Sequence, residues 1–235
     1  MGEVKKAVQF ERTGNPPDVV NLVDLKSEQV GPDDALIDVE AAAINPSHLL
    51  TLQGSYGVQP DLPAVPGAEG IGKIVEAGKD VVNVKAGDRV MIPPYTGTWR
   101  QQVVVPSKKI TVTFPATGDP VQMAMLMANP PTAWLLLKTV IELKNGEWVI
   151  QNAGNSAVGQ YVMQLARIYG YHTINVVRRE GLNDLVKNSG GDFCLLDGPD
   201  LGERVKAATG NAGIRLAIDA VAGEHSQFLA DCLSE

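Results

Sequence analysis

Gly154, Ser156 and Gly159 stand at the three small-residue positions of a G-x-G-x-x-G pattern, directly after the apolar run Trp148-Val149-Ile150. Small residues at that spacing let backbone N–H groups approach a pyrophosphate, and the first turn of a following helix adds unpaired donors and the positive end of its dipole. The middle glycine is replaced, so Ser156 brings a hydroxyl to a place where bare backbone is usual. Taken alone, the pattern is equally an ordinary strand-to-helix turn. Further on, Arg178, Arg179 and Glu180 follow a short β-branched run that ends at Val177, where a dinucleotide-binding unit meets the adenosine ribose. An acid directly at that strand end would accept from a ribose 2′-hydroxyl and repel a 2′-phosphate, whereas guanidinium groups pair with the phosphate bidentately. Arg178 is the better placed, with Arg179 beside it, and NADPH is the expected cofactor. The plainer alternative is a solvated arginine pair at a strand end.

That chemistry needs a strand, a turn, a helix and a second strand in succession. Val158, Tyr161, Val162, Leu165, Ala166 and Tyr169 recur at helical spacing and stop at Gly170, a natural C-cap. With the run Thr173 to Val177, residues 147–177 form one βαβ unit of about thirty residues. Phe193 to Leu196, ending at Asp197, and Leu216 to Ile218, ending at Asp219, predict two more strands separated by helices, hence a parallel sheet. Before about Pro120 the texture changes to short β-rich runs broken by Gly and Pro. Asp34 to Ala41 and Ile71 to Gly78 alternate as half-buried strands; Val84 to Met91 is a turn feeding a strand, and Gly97 to Val105 returns as one more. The fold class is α/β, with a compact β-domain over residues 1–120 and a partial doubly wound parallel sheet over residues 121–235.

At 235 residues and 44% hydrophobic content the chain can bury a substantial core, and no apolar run approaches the length of a membrane span. A formal charge of −7 offers no broad electropositive surface, so nucleic acid and membrane are not expected partners. The start, from Met1 to Phe10, lacks the apolar core of a signal peptide. The expected compartment is the cytoplasm for a bacterial protein, or the mitochondrion for a eukaryotic one without its transit peptide. Two cysteines, Cys194 and Cys232, exclude a disulfide framework and a four-cysteine zinc site.

Four segments carry a resemblance: Ala43-Ile44-Asn45-Pro46-Ser47, Pro66-Gly67-Ala68-Glu69-Gly70-Ile71-Gly72, Lys85-Ala86-Gly87-Asp88-Arg89-Val90, and the turn around Gly154. In these the chain resembles the medium-chain dehydrogenase/reductase superfamily, which joins a GroES-like catalytic domain to a Rossmann domain. Zinc-dependent members place a cysteine near Asn45 and a histidine at Ala68. Neither is present, so no metal site is expected, and His48 reads as a helix-surface residue after Pro46. Gln53-Gly54-Ser55-Tyr56-Gly57, Gly97-Thr98-Trp99-Arg100, Asn129-Pro130-Pro131-Thr132-Ala133, Val149 to Ala153 and Thr173 to Arg178 further resemble the mitochondrial-type 2-enoyl thioester reductases.

That resemblance implies NADPH-dependent reduction of the 2,3 double bond of trans-2-enoyl thioesters, with Tyr56 as the catalytic group. By itself Tyr56 is a loop tyrosine with a packing role. Asn129 is implied beside the nicotinamide ribose, although it would serve equally as an N-cap before Pro130. Asn155, Ser156, Ala157 and Val158 are implied at the pyrophosphate, and Arg178, Arg179 and Glu180 complete the cofactor set. The implied partners are an enoyl thioester of CoA or acyl carrier protein and, at full length, a second copy in a homodimer. Nothing resembling the superfamily's two further Rossmann strands follows Gly223, so the sheet is expected to lack its far edge. Two other readings stay open: an NADPH quinone oxidoreductase of the same superfamily, and a non-catalytic truncated partner of a full-length copy.

Overall fold

The computed structural model describes residues 4–234, so Met1 to Glu3 of the N-terminal segment read above lie outside the described residues. The elements in chain order are β1 (Val4–Phe10), α1 (Pro16–Val19), β2 (Val20–Lys26), β3 (Asp34–Ala42), α2 (Pro46–Gln53), β4 (Gly70–Ala77), β5 (Arg89–Met91), β6 (Gln102–Pro106), β7 (Thr113–Phe114) and α3 (Pro120–Met123). Then follow α4 (Asn129–Lys138), β8 (Trp148–Gln151), α5 (Ala157–Tyr169), β9 (His172–Val177), α6 (Asn183–Asn188), β10 (Phe193–Leu196), α7 (Leu201–Thr209), β11 (Ile214–Ile218) and α8 (Glu224–Ala230). No helix among the described residues is long and apolar enough to cross a membrane. The chain divides into two units, Met1–Met127 and Ala128–Glu235.

In the first unit an antiparallel sheet runs in the order β6-β3-β4-β5-β7, beside a two-stranded ribbon of β1 and β2. Alternation sends Ala35 and Ile37 of β3 to one face, where Ile74, Val90, Val103 and Val105 close the core. A smaller apolar cluster of Phe10, Val19 and Leu52, with Ala64 and Trp99 against it, anchors α2. Two boundaries differ from the sequence reading. Residues 97–101 do not extend β6, because Gly97 turns with φ 79° and the backbone N–H groups of Gly97, Thr98 and Trp99 bond back to Gly67 and Pro66. Residues 121–127, assigned above to the second domain, group with the first unit, where Asp119 caps α3 and that helix packs on β3 and β4.

The second unit holds an all-parallel sheet ordered β10-β9-β8-β11. The expectation of a parallel sheet is met, and β11 begins two residues earlier than the apolar run implied. β8 and β9, the strands with a neighbour on each side and helices above and below, are buried on both faces along most of their length. Val149 and Leu216 face α4 and α5 through Ala133, Leu137, Val162 and Ala166; Ile150, Ile174 and Val176 face the opposite side through Leu201, Val205 and Leu229. Since β9 and β10 lie on one side of β8 and β11 on the other, the strand order reverses between β8 and β11. A crevice opens at the carboxyl ends of strands at such a reversal.

Candidate nucleotide cradle and phenol site

The turn after β8 is set by close approach. A Cβ on Gly159 would sit 2.6 Å from the Gly154 carbonyl oxygen, and one on Gly154 would sit 2.9 Å from the Asn175 Cβ, so only hydrogen fits at either place. The Gly154 N–H donates to the Val176 carbonyl at 3.0 Å, which ties the turn to β9. Ala153 takes a left-handed φ of 47°, unusual for a residue with a side chain. Ser156 is the N-cap of α5: its hydroxyl accepts from the Gly159 N–H at 3.1 Å and settles one of the helix's unpaired donors. The substituted middle position of the glycine pattern is thus a capping position. Gly170 closes the helix with φ 73°, as expected.

Beneath this turn lies a buried polar network that the sequence reading missed. Gln151 Nε2 donates to the Gly159 carbonyl at 2.9 Å and to Asn175 Oδ1 at 2.7 Å; Asn175 Nδ2 donates to Thr173 Oγ1 and to the Phe193 carbonyl, each at 3.1 Å. Gln151 and Asn175 are almost wholly buried. The available signal was two amides within strands that otherwise read as continuous apolar runs, which demands partners inside the sheet.

A second network holds the reversal point. Asn152 Nδ2 donates to Asp219 Oδ1 at 2.6 Å and Asn152 Oδ1 accepts from the Ala220 N–H at 2.7 Å, joining the carboxyl ends of β8 and β11. Asp219 also accepts from the Ser226 hydroxyl and from the N–H groups of Val221 and Ala222. These donors, Ser226 foremost, hold its carboxyl far below the usual carboxylate range. A lowered folded pKa gives stability that is present above the unfolded value of about 3.9 and lost as pH falls through and below it. Asp219→Asn should therefore lower the thermal midpoint at pH 7 by a few degrees, and the gap from the parent should stay constant down to about pH 4 and narrow as pH falls further. A gap that persists unchanged at pH 3 would mean that the charge of Asp219 is not its source.

At the carboxyl ends of β9 and β10 there is a hollow of about 360 Å³, lined by Val177, Arg179, Glu180, Leu182, Cys194 and Leu196 among others. Arg178, Arg179 and Glu180 are all exposed, and Arg178 is not among the lining residues. Burial pushes the Cys194 thiol upward, so it packs as a small apolar group.

Asn129 is not the N-cap that the sequence allowed. Ala128 occupies that position, in right-handed helical geometry and with its carbonyl accepting from the Thr132 N–H, so the helix begins one residue earlier. The Asn129 side chain is released from capping, and its Nδ2 is buried with no hydrogen-bond partner. A buried amide donor left open is costly and marks a place where a ligand acceptor would repay it.

In the first unit, α2 delivers Tyr56. Gly54 ends the helix in left-handed geometry, and the N–H groups of Ser55 and Tyr56 both donate to the Leu50 carbonyl, at 3.0 and 3.2 Å. Gln59 Nε2 donates to the Tyr56 carbonyl at 2.8 Å, so the backbone is tied on both sides of a half-buried ring.

His48 is not on the helix surface. It is 4% exposed, with the Asn45 N–H donating to Nδ1 at 3.1 Å, the Ala68 N–H 3.0 Å from Nε2, and the ring set edge-on to Trp99. His48 is the third residue of α2, and burial lowers the imidazole pKa. Asn45 Nδ2 donates to the buried Glu69 carboxylate at 2.6 Å. The nine residues singled out as site candidates therefore fall into two groups: Tyr56 in the first unit, and Asn129, the 155–158 turn and Arg178 to Glu180 in the second.

Residues 31–116 match the alcohol dehydrogenase GroES-like domain. Over 233 residues the chain is 40% identical to the mitochondrial enoyl-[acyl-carrier-protein] reductase of Caenorhabditis elegans, covering 95% of this chain and 65% of that protein. Among solved structures it resembles the Etr1p/NADP/crotonyl-CoA complex, with a TM-score of 0.88 and 25% identity over 98% of this chain and 72% of that one. It also resembles a quinone oxidoreductase of Pseudomonas syringae pv. tomato, with a TM-score of 0.83 and 27% identity over 98% and 70% of the two chains. The chain spans roughly half to two thirds of the length of the curated relatives it matches.

Proposed function

We propose, from the premise that the chain has the medium-chain dehydrogenase/reductase fold and resembles the mitochondrial 2-enoyl thioester reductases, that it carries the NADPH-binding and proton-donating parts of a trans-2-enoyl thioester reductase. The observation that carries this reading is the open, buried Nδ2 of Asn129 in the same unit as a capped, glycine-tight turn and a hollow beside Arg179. These residues fit a dinucleotide: backbone donors at Asn155, Ala157 and Val158 suit a pyrophosphate, while the Ser156 N–H is given to the Ala153 carbonyl, and Arg178 and Arg179 suit a 2′-phosphate. Glu180, which shares the hollow with Arg179, suits a ribose hydroxyl.

NADPH, when bound, supplies a hydride to the β-carbon of the conjugated thioester. What the chain itself must do is stabilise the negative charge that then develops on the thioester oxygen and see a proton delivered to the α-carbon. Tyr56 is the group proposed for this. A phenol donates a short hydrogen bond to an enolate oxygen and is a weak enough acid to keep its proton until charge develops. The thioester is proposed to be carried on CoA or acyl carrier protein, since the C. elegans relative is named for the second and the Etr1p complex holds crotonyl-CoA. For a eukaryotic source the proposed compartment is the mitochondrion, as in that relative.

The test is NADPH oxidation followed against a medium-chain trans-2-enoyl-CoA and against a quinone. Thioester reduction upholds the proposal, while turnover of quinone alone would replace it with the second reading, which the P. syringae likeness favours. Turnover of neither, with NADPH still bound, would leave a binding partner and no enzyme. Charge reversal checks the cofactor: Arg178→Asp and Arg179→Asp should each cut the preference for NADPH over NADH by about tenfold, equivalent to about 1.4 kcal/mol. An unaltered ratio of dissociation constants in both variants would move the 2′-phosphate site elsewhere.

A further inference from the structure

Strand register sets an acid beside Arg178. Leu196 of β10 pairs with Val177 of β9, and the Asp197 N–H donates to the Val177 carbonyl at 2.9 Å, so the next residues, Asp197 and Arg178, are neighbours at the carboxyl end of the sheet. A carboxylate there is an obvious partner for an exposed guanidinium, and it repels any phosphate brought to the same place. Its partner in the structure is instead His225. Asp197 Oδ2 lies 2.5 Å from His225 Nδ1, while Oδ1 accepts from the Gly198 N–H at 3.0 Å. Oδ2 and Nδ1 are both buried and meet no other hydrogen-bonding group. Two lone pairs do not face each other at that separation, so an imidazole hydrogen belongs on Nδ1.

Several contacts fix His225 in that position. It is the second residue of α8, and the hydroxyl of Ser226 beside it donates to Asp219 at the end of β11. The His225 ring stands edge-on to Phe228 with centroids 5.9 Å apart, and Leu229 sinks into the core beneath. In the loop that leads to α8, Ala222 takes a left-handed φ of 65° with its N–H on Asp219, a strained backbone that is imposed by its surroundings.

We propose that His225 is a positioning residue for the 2′-phosphate of the dinucleotide: it engages the Asp197 carboxylate, which would otherwise compete for Arg178 and repel the phosphate. This role rests on the NADPH reading above and deepens it. Specificity at the end of β9 then depends on a residue carried by α8, on the far side of β11 in the chain.

Calorimetric titrations with 2′,5′-ADP and 5′-AMP, which differ by the 2′-phosphate alone, test it. His225→Phe keeps a ring against Phe228 and removes the N–H. Its dissociation constant for 2′,5′-ADP should rise about tenfold, the scale of one screened like-charge contact, while that for 5′-AMP stays within about twofold. Adding Asp197→Asn removes the released charge and should bring 2′,5′-ADP binding back to within about twofold of the parent. His225→Asn, which can offer an amide N–H near the place of Nδ1–H, should bind both probes as the parent does. Equal weakening of both probes in His225→Phe, no recovery in the double variant, or unchanged binding throughout overturns this inference alone. So does a parent His225 ring whose 15N shifts show hydrogen on Nε2 only. A parent chain that binds 2′,5′-ADP no better than 5′-AMP overturns the 2′-phosphate site at Arg178, and the role of His225 with it.

Discussion

Tyr56→Phe is expected to lower kcat for enoyl-thioester reduction at least tenfold, since a positioned acid or hydrogen-bond donor contributes about 10²–10⁴-fold to such steps. The dissociation constant of NADPH should stay within about twofold, because the proposed dinucleotide contacts all lie in the second unit and Tyr56 lies in the first. The substitution removes one oxygen and leaves the ring, and the turn holding it is built from backbone bonds to Leu50 that do not involve the hydroxyl. Steady-state rates with a trans-2-enoyl-CoA and a fluorescence titration of NADPH provide the two readouts. A kcat within a factor of two of the parent would remove Tyr56 from the mechanism. A loss confined to KM would make it a binding residue only.

Gly159→Val is expected to have the second large effect, and on the other side of the reaction. Its Cβ alone would meet the Gly154 carbonyl oxygen at 2.6 Å and the Gly154 carbonyl carbon at 2.9 Å, both backbone atoms that cannot rotate away. Overpacking of this kind costs about 1–3 kcal/mol. The Gly154 N–H is pinned to β9 and the Gly159 carbonyl to Gln151, so the strain has little outlet other than opening the turn itself. NADPH affinity should fall by about ten- to a hundredfold, measured by fluorescence titration, while the first unit keeps its structure by circular dichroism and proteolysis. Undiminished affinity would mean that the pyrophosphate does not sit on this turn.

The parts of the molecule legible from sequence were those fixed by short-range pattern. The Val158 to Tyr169 stripe and Gly170 define α5, and a β-branched run at Thr173 and a short apolar run at Phe193 define strands of the parallel sheet. Ser156 was legible as well by a different rule, since a serine just ahead of a helical stripe is an N-cap, yet the glycine pattern drew it into a phosphate role first. His48 was misplaced because a single histidine in a short helix has no periodic signal, and what buries it comes from Ala68 and Trp99 far along the chain. Residues 121–127 were divided from the first unit by texture alone, whereas α3 is held there by packing on β3 and β4.

The amides under the turn also bear on motion. Gln151 joins the first turn of α5 to Asn175, and Asn175 reaches across the sheet to β10, so the loop shares hydrogen bonds with the buried centre of its sheet. Loops that receive nucleotides in many folds breathe independently of their scaffold. Loosening this one breaks side-chain bonds that link it to three adjacent strands, and its amide at Gly159, capped by Ser156, is expected to exchange slowly. The dinucleotide would meet a cradle already in its final shape, and little of its binding energy would go into ordering the receptor.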